Sequence, residues 1–371
     1  MKQKIIVLGG GMVGSAIARD LHDLGYDITV ADRDIQLKKM YDLFEIDFLQ
    51  LDFSDHFALK SAIASFPNVV GAVPGFMGYT TLKTVIESGK NIVDISFMPE
   101  DAQLLHTLAE EKGGTAIVDA GVAPGLSNLY FGQAISMFDE LESAKCFVGG
   151  LPQDPKPPWY YKSVFSPIDV IEEYTRPARF VENGELVTKP AMSEIEQIDF
   201  PDIGKLDAFN SDGLRSLLNL SIPNMVEKTL RFPGHIQKVI ALRNEGKFSE
   251  DNIQSTAASL IVDWAPNALD KDQTVMRLEF YGKVAGENYA IRYDLHDKYD
   301  RENNITSMAR TTGYTCTAAL QLLLSNQFSR PGVFNLEDLG NNPQFVSAIF
   351  EYLKNRGISL TENPIEINQE V

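Results

Sequence analysis

Near its N-terminus the chain carries four consecutive apolar residues, Ile5 to Leu8, which run straight into Gly9, Gly11 and Gly14 at Gly-x-Gly-x-x-Gly spacing. An unbroken apolar run of this length, bounded by a glycine turn, reads as a strand buried on both faces. The SAIARDLHDLG that follows has helical spacing and ends on a glycine. The same alternation of strand and helix continues to about Asp119. Further strands are expected at Asp27 to Ala31, in IDFLQLD up to Asp52, at Val69 to Val73, in NIVDISF and in GTAIVDAG. Helical spacers lie between them in IQLKKMYDLFE, DHFALKSAIASF, residues 79–88 and EDAQLLHTLAEEKGG. Six short apolar strands separated by helices predict an α/β fold: a doubly wound parallel sheet, the Rossmann architecture, over residues 1–126.

The pattern changes after VDAGVAPGLSN. A crossover helix is expected at 126–138 and a strand at 141–149. The next segment, GGLPQDPKPPWYY, holds four prolines between Pro152 and Pro158. Proline fixes φ and offers no N–H, so this segment reads as an ordered loop or arm outside any sheet. RLEFYGKV and YAIRYDL flank a glycine turn and predict a hairpin at about 277–295. Residues 127–308 therefore form a second, α+β domain with a mixed or antiparallel sheet and helices such as DNIQSTAASLIVDWA. The apolar helix at 311–324 lies in a segment, 309–335, expected to return to the first domain. Residues 336–371 read as a C-terminal helix and tail, the last twelve residues being polar and acidic and expected to be loose.

Composition narrows the class. A chain of 371 residues suits two domains, and 44% hydrophobic with 23% charged residues suits a globular protein with a real core. A net charge of −18 argues against nucleic acid and anionic membranes as partners. The two cysteines, Cys146 and Cys316, are far apart and lack a CxxC neighbour, which fits a reducing cytoplasm and no disulfide framework. Five scattered histidines show no HxH or HExxH spacing, so no metal is expected. No run approaches the ~18 apolar residues of a membrane span. MKQK followed by four apolar residues is too short for a signal-peptide core. The expected location is the cytoplasm.

The glycine turn carries the first chemistry. Gly9 allows a tight turn, Gly11 lets a pyrophosphate approach the backbone, and Gly14 lets the helix pack closely on the strand. The free N–H groups at the helix start, where Met12 and Val13 stand, would hold phosphates. The second strand ends at Asp32, eighteen positions after Gly14. A carboxylate there accepts both ribose hydroxyls of NAD and repels the extra phosphate of NADP, so NAD is expected and NADP is the lesser candidate. Arg33 is positioned either to stack on adenine or to tolerate a 2′-phosphate. Asp52 either accepts from the adenine amino group or caps the helix starting near Asp55. Val73 and Pro74 would pass over the nicotinamide ribose through their backbone. In such sheets ligands bind at the carboxyl ends of the strands, which places Asp32, Asp52, Val73–Gly75, Asp94–Phe97 and Asp119–Gly125 on one rim.

With the glycine turn, four stretches carry a resemblance: DAGVAPGLSN (119–128), GGLP (149–152), KTLRFPGH (228–235) and DRENNITSMARTTGYT (300–315). Together they resemble the saccharopine dehydrogenase-like family over about residues 3–335, and within it the bacterial and archaeal L-lysine 6-dehydrogenases. The resemblance implies a Rossmann domain, a second domain for substrate and dimerisation (hence a homodimer), and nicotinamide-dependent oxidation or formation of a carbon–nitrogen bond in an amino acid. The chain departs from saccharopine reductases at two places. Ala123 stands where they carry an aspartate, and AFNSDGLRSL replaces a stretch that in them holds an arginine near Asn210–Ser211. Those reductases use NADPH. The implied activity is oxidative deamination of the L-lysine ε-amine to the semialdehyde, which closes to a cyclic imine. One alternative is an opine-type enzyme acting on saccharopine or another secondary amine. An alternative of another class is a catalytically silent nicotinamide-binding sensor or scaffold.

Oxidising an amine requires that it lose its proton, that its carbon face the acceptor, and that a dry site favour the step. Asp119 and Asp94, at strand ends, are candidates to take a proton or stabilise an iminium; each could instead cap its following turn. Ser96 and Phe97 align with substrate-contacting positions of the saccharopine reductases. Arg231 offers a planar fork for a substrate α-carboxylate. His235, with an ordinary pKa near ~6.5, is a candidate general base or proton shuttle. Asp212 with Ser211 could hold the α-ammonium; an Asp-Gly turn is the plainer reading. Tyr161, beside Tyr160 after the proline arm, would lid the site, exchange contacts across a dimer, or simply pack.

Overall fold

The computed structural model describes residues 2–163, 167–267 and 269–365. They divide into two compact units, Met1–Gly132 with Ala309–Gly357, and Gln133–Met308 with Ile358–Val371. The first division thus falls six residues beyond the boundary expected from the sequence. The C-terminal end joins the second unit.

Taken in chain order, the first unit contributes β1 (Lys4–Leu8), β2 (Asp27–Asp32), β3 (Asp47–Gln50), β4 (Asn68–Gly71), β5 (Asn91–Asp94) and β6 (Thr115–Ile117). The second contributes β7 (Glu140–Pro152), β8 (Ala178–Glu182), β9 (Glu185–Lys189), β10 (Glu196–Phe200), β11 (Gly204–Asn210), β12 (Asn224–Arg231), β13 (Asp272–Val284) and β14 (Glu287–Lys298). The chain then adds β15 (Gly332–Phe334) to the first sheet and β16 (Leu360–Pro364) to the second.

The first sheet has the order β15-β6-β5-β4-β1-β2-β3, and its pairings are parallel. Ile5, Ile6, Val7 and Leu8 are fully buried, which is why β1 reads as a continuous apolar run. The strand order reverses between β1 and β4, and the crevice at their carboxyl ends is where doubly wound sheets take ligands. This is the predicted fold. The sequence reading lacked the seventh strand, β15. Gly-Val-Phe is too short to show a period, and it is a strand only because Gly332 to Phe334 extend the edge beside Thr115 to Ile117.

The second sheet runs β10-β11-β12-β7-β13-β14-β16, with β8 pairing β12 and β9. It is mixed: β12 and β7 are parallel, the other pairings antiparallel. The expected hairpin is longer than its apolar core. It turns at Ala285 and Gly286, both at positive φ, as a two-residue turn matching the strand twist requires. Two expectations need correction. Gly149–Pro152 of the proline segment belong to β7 and pair with β13. The β12 ladder on the other side of β7 stops at Val148, so the missing N–H of Pro152 leaves no ladder bond unmade there. The tail is also not wholly loose, since Leu360–Pro364 pair with β14 and only residues 366–371 lie outside the described residues. Among the described residues no helix is long and apolar enough to cross a membrane.

Candidate functional site

At the end of β1, Gly9 turns the chain at φ +106, and a Cβ there would stand 2.3 Å from the Ala72 carbonyl oxygen. A Cβ on Gly14 would stand 1.9 Å from the Gly9 oxygen. These two glycines are demanded by the packing of turn, helix and neighbouring strand. Gly11 is different. Its φ of −70 suits any residue, and nothing lies within 4 Å of where its Cβ would be. The protein's own packing gives no reason for glycine here; a ligand that must touch the backbone does. Gly11 is also the N-cap of helix Met12–Asp23 and makes no side-chain cap, and that helix has no acidic residue in its first turn. Met12 is exposed and Val13 half-buried beside it. This is a helix start suited to an anion.

Asp32 is fixed beside the turn. Its Oδ2 accepts from Gly10 N at 2.7 Å and its Oδ1 from Asp34 N at 2.9 Å. Each carboxylate oxygen retains accepting capacity for a hydroxyl. The Tyr41 hydroxyl donates to Gly10 O at 2.9 Å and holds the next peptide of the turn; burial, with the Asp32 charge, pushes this phenol up. Arg33 is exposed at the rim. Asp52 is exposed and accepts from Ser54 N at 2.9 Å and Ser54 Oγ at 2.8 Å, which holds its carboxyl below the usual range. The helix that follows is capped by Asp55 instead, through Phe57 N and Ala58 N. Val73 is buried and Pro74 exposed, at the start of helix Gly75–Glu87. These residues fit a dinucleotide: glycines where backbone must be approached, and a carboxylate held at the end of β2.

Further along the rim, Asp94 is fully buried at the end of β5 and accepts from Ser96 N at 2.8 Å. A Cβ on Gly71 would stand 1.8 Å from Asp94 Oδ2, so this carboxylate lies over the end of β4. Ser96 is 2% exposed, and a Cβ on Gly78 would stand 2.7 Å from its Cβ. Phe97 is half-buried, its carbonyl close over Gly75. Asp119 is buried with φ +51, in the left-handed region, and Ala120 N donates to Asp94 O at 3.0 Å. Asp94 thus ends β5, and Asp119 follows two residues after the end of the adjacent β6. A non-glycine residue held at positive φ costs energy that its surroundings must supply, a situation concentrated at functional sites. The loop after it is rigid: Gly121 N donates to Pro124 O, and Asn128 Oδ1 accepts from Gly125 N while its Nδ2 donates to Glu337 Oε2 at 2.9 Å.

In the second unit, alternation along β12 puts Glu227, Thr229 and Arg231 on one face. Arg231 is buried, and its fork is already in use. Nε donates to the Tyr174 hydroxyl at 3.0 Å, Nη1 to Leu230 O at 2.9 Å, and Nη2 to Glu173 Oε2 at 2.7 Å. Its guanidinium lies 4.7 Å from the centre of the Tyr161 ring. His235 is fully buried, with Nδ1 2.9 Å from Trp159 O and Nε2 2.9 Å from the Tyr174 hydroxyl. A carbonyl can only accept, so Nδ1 carries the proton and Nε2 accepts from Tyr174. The relay therefore runs Arg231 to Tyr174 to His235 to Trp159, with every donor used in one direction. Burial and the Arg231 charge push His235 down to about 3, so it stays neutral. The expectations for Arg231 as a carboxylate fork and His235 as a proton shuttle are corrected: both are engaged in this buried relay. Tyr161 is likewise an interior ring, 3% exposed and T-shaped to Trp264, not a lid; burial pushes its phenol up to about 12.

Ser211 and Asp212 are both buried. Ser211 Oγ accepts from Thr229 Oγ1 at 2.8 Å. Asp212 is held by Arg179 through two bonds of 2.9 Å, so its charge is matched within the chain. Sequence reasoning missed Gly10, Tyr41, Glu173, Tyr174 and Glu227. Glu227 had a signal: an acid two and four residues before Thr229 and Arg231, on a strand otherwise patterned for burial. It is 7% exposed. Among the described residues no group of His, Cys, Asp and Glu could hold a metal.

Comparison with known proteins adds the following. The family model described as saccharopine dehydrogenase NADP binding domain matches residues 5–117, and that described as saccharopine dehydrogenase C-terminal domain matches 121–358. The mitochondrial alpha-aminoadipic semialdehyde synthase of Mus musculus is 26% identical over 63% of this chain and 27% of its own length. The saccharopine dehydrogenase [NADP(+), L-glutamate-forming] of Pyricularia oryzae is 27% identical over 67% of this chain. The chain spans about a quarter of the first of these relatives and 59% of the second. The structure of apo saccharopine dehydrogenase (L-Glu forming) from Saccharomyces cerevisiae superposes with a TM-score of 0.80 at 18% identity, covering 98% of this chain and 100% of that one, which establishes the fold.

Proposed function

The chain belongs to the saccharopine dehydrogenase family, and from that premise we propose that it is a nicotinamide-dependent oxidoreductase acting on a carbon–nitrogen bond of an amino acid. The observation that carries this reading is the pair Gly11 and Asp32: a glycine with no packing reason to be one, and a carboxylate pinned beside it by Gly10 N. Gly9, Gly11, Gly14, Asp32, Val73 and Pro74 would hold the coenzyme. When bound, its nicotinamide supplies a hydride acceptor. NAD is proposed over NADP, because the Asp32 carboxylate accepts hydroxyl donors and repels a 2′-phosphate.

For substrate we propose a primary amine, the ε-amine of L-lysine. An ammonium has no lone pair to drive hydride from its carbon, so the amine must be neutral first. Asp94 and Asp119, at or just past adjacent strand ends in a dry rim, are the groups proposed to take that proton or to hold the iminium. Ala123 and the Asn210–Ser211 stretch support lysine over a longer polycarboxylate, since both replace charged groups that the saccharopine reductases carry. The test is incubation with NAD or NADP and a panel of L-lysine, L-ornithine and diaminobutyrate. Reduced NAD from lysine is expected, with NADP slower. No reduced coenzyme from any of them across alkaline pH overturns the reading. A second reading, oxidation of a saccharopine-type secondary amine, is favoured by the name of the Pyricularia relative. The reverse assay separates them: an amino acid plus a semialdehyde should consume reduced coenzyme only in the second case.

A further inference from the structure

Glu227 is the one acid on its face of β12, and no described residue donates a hydrogen bond to its carboxyl, although Ser211 N donates to its backbone oxygen. Its neighbours are paired: Asp212 with Arg179, and Glu173 with Arg231. The loop Ser211–Gly213 is shaped around it. A Cβ on Gly213 would stand 1.4 Å from Glu227 Oε1, so any other residue at 213 would displace the carboxyl. An acid that is 93% buried, given room by a glycine and no carboxyl donor among the described residues, is not explained by packing, because an apolar residue of that size would serve the core better.

We propose that Glu227 is an ammonium subsite, holding the α-ammonium of an amino-acid substrate, with Asp212 and Glu173 adding negative potential beside it. The groups acting on Glu227 come from each element around it: Glu173 from helix Pro167–Thr175, Asp212 and Arg215 from the segment after β11, and Cys146 opposite it on β7. Burial, then the Glu173 and Asp212 charges, raise its carboxyl from the ordinary 4.5 to about 8. Free Glu227 is therefore protonated at neutral pH. An arriving ammonium would convert it to carboxylate, and the carboxyl proton would leave to solvent. The assignment also moves the ammonium contact from Asp212 to Glu227, since Asp212 is already matched. It rests on the amino-acid reading above only for the identity of the ligand.

The experiment is carbon-13 detection of labelled glutamate carboxyls in the full-length protein, with the Glu227 signal assigned from E227Q and titrated in the wild type. Ethylammonium chloride and L-lysine should each lower the Glu227 midpoint by about one unit or more, and tetramethylammonium chloride, which has no N–H, should not. In a coupled assay E227Q should raise the KM for lysine roughly tenfold or more with little change in kcat. A Glu227 midpoint unmoved by both amines overturns the subsite; E227D assigns the signal where E227Q does not fold. If lysine moves the midpoint but yields no reduced coenzyme, the subsite stands and the lysine activity falls. If lysine is oxidised with an unchanged KM in E227Q, the activity stands and the subsite falls.

Discussion

The Asp32 carboxylate accepts from Gly10 N and Asp34 N while facing the proposed ribose position, so one side chain shapes the turn and sorts the coenzyme. Asp32→Ala should weaken NAD on the order of tenfold or more and raise the relative affinity for NADP, read by calorimetry with each coenzyme. An unaltered protein that already prefers NADP would remove the premise. Two buried groups of the second unit set opposite pH slopes. His235 is held neutral to about 3 in the folded chain, whereas unfolding returns it to about 6.5. Between those values the unfolded chain binds the extra proton, so stability is lost as pH falls from 6.5 toward 3. Glu227 is protonated up to about 8 when folded and only to 4.5 when unfolded, so its contribution is lost as pH rises through that interval. Urea midpoints measured across pH should show His235→Gln flattening the acid limb and Glu227→Gln flattening the decline in stability between pH 4.5 and 8. At this scale the type of a side chain is legible in the sequence and its partners are not. A fork such as Arg231 reads identically whether it meets a substrate carboxylate or, as here, Glu173 and Tyr174.

The strand–turn–helix element from β1 to Asp23 offers a paired test of packing against ligand. Gly11→Ala adds a methyl with nothing within 4 Å, at a φ that alanine adopts. It should leave stability within about 0.5 kcal/mol of the parent and yet weaken the coenzyme roughly tenfold or more. Gly14→Ala drives a Cβ to 1.9 Å from Gly9 O and should lose about 1–3 kcal/mol or more along with binding. Equal melting losses in both variants would contradict the distinction drawn between the two glycines. Elements with a period were legible in the sequence: β1 as an apolar run, the hairpin of β13 and β14 as alternation about a glycine turn. Those without one were not. β15 has three residues, and β16 is Leu-Thr-Glu-Asn-Pro, which no propensity would choose as a strand; β14 pairs it along its whole length.

Across the molecule, the first unit is closed by segments 297 to 336 positions apart. Asp20, on the helix after β1, accepts from Arg356 Nε at 2.6 Å, the Tyr352 hydroxyl at 2.7 Å and Thr317 Oγ1 at 2.6 Å. The carboxylate ties three helices of that unit at a nearly buried point. Asp20→Ala leaves a guanidinium and two hydroxyls without their acceptor and should cost about 3 kcal/mol or more, read by chemical unfolding. Retention of parental stability would show the clamp to be idle. The late helix Ser307–Leu324 carries Gly313, where a Cβ would stand 3.1 Å from Ile17 Cγ1, so the C-terminal segment is part of the first unit's body.

The amino-acid sequence by itself determined the class of fold, the position of the glycine turn, the acid at the end of β2 and the family, because these depend on local spacing: an apolar period, three glycines, and motifs in a fixed order. Tertiary structure alone decided which charges remain available. Ion pairing and burial are properties of neighbours brought together from distant positions. Thus Arg231 is taken up by Glu173, Asp212 by Arg179, and His235 is kept neutral by burial. Glu227, whose alternation with Thr229 and Arg231 marks its face and not its pairing, is left as a buried acid seated against Gly213, with no donor to its carboxyl among the described residues.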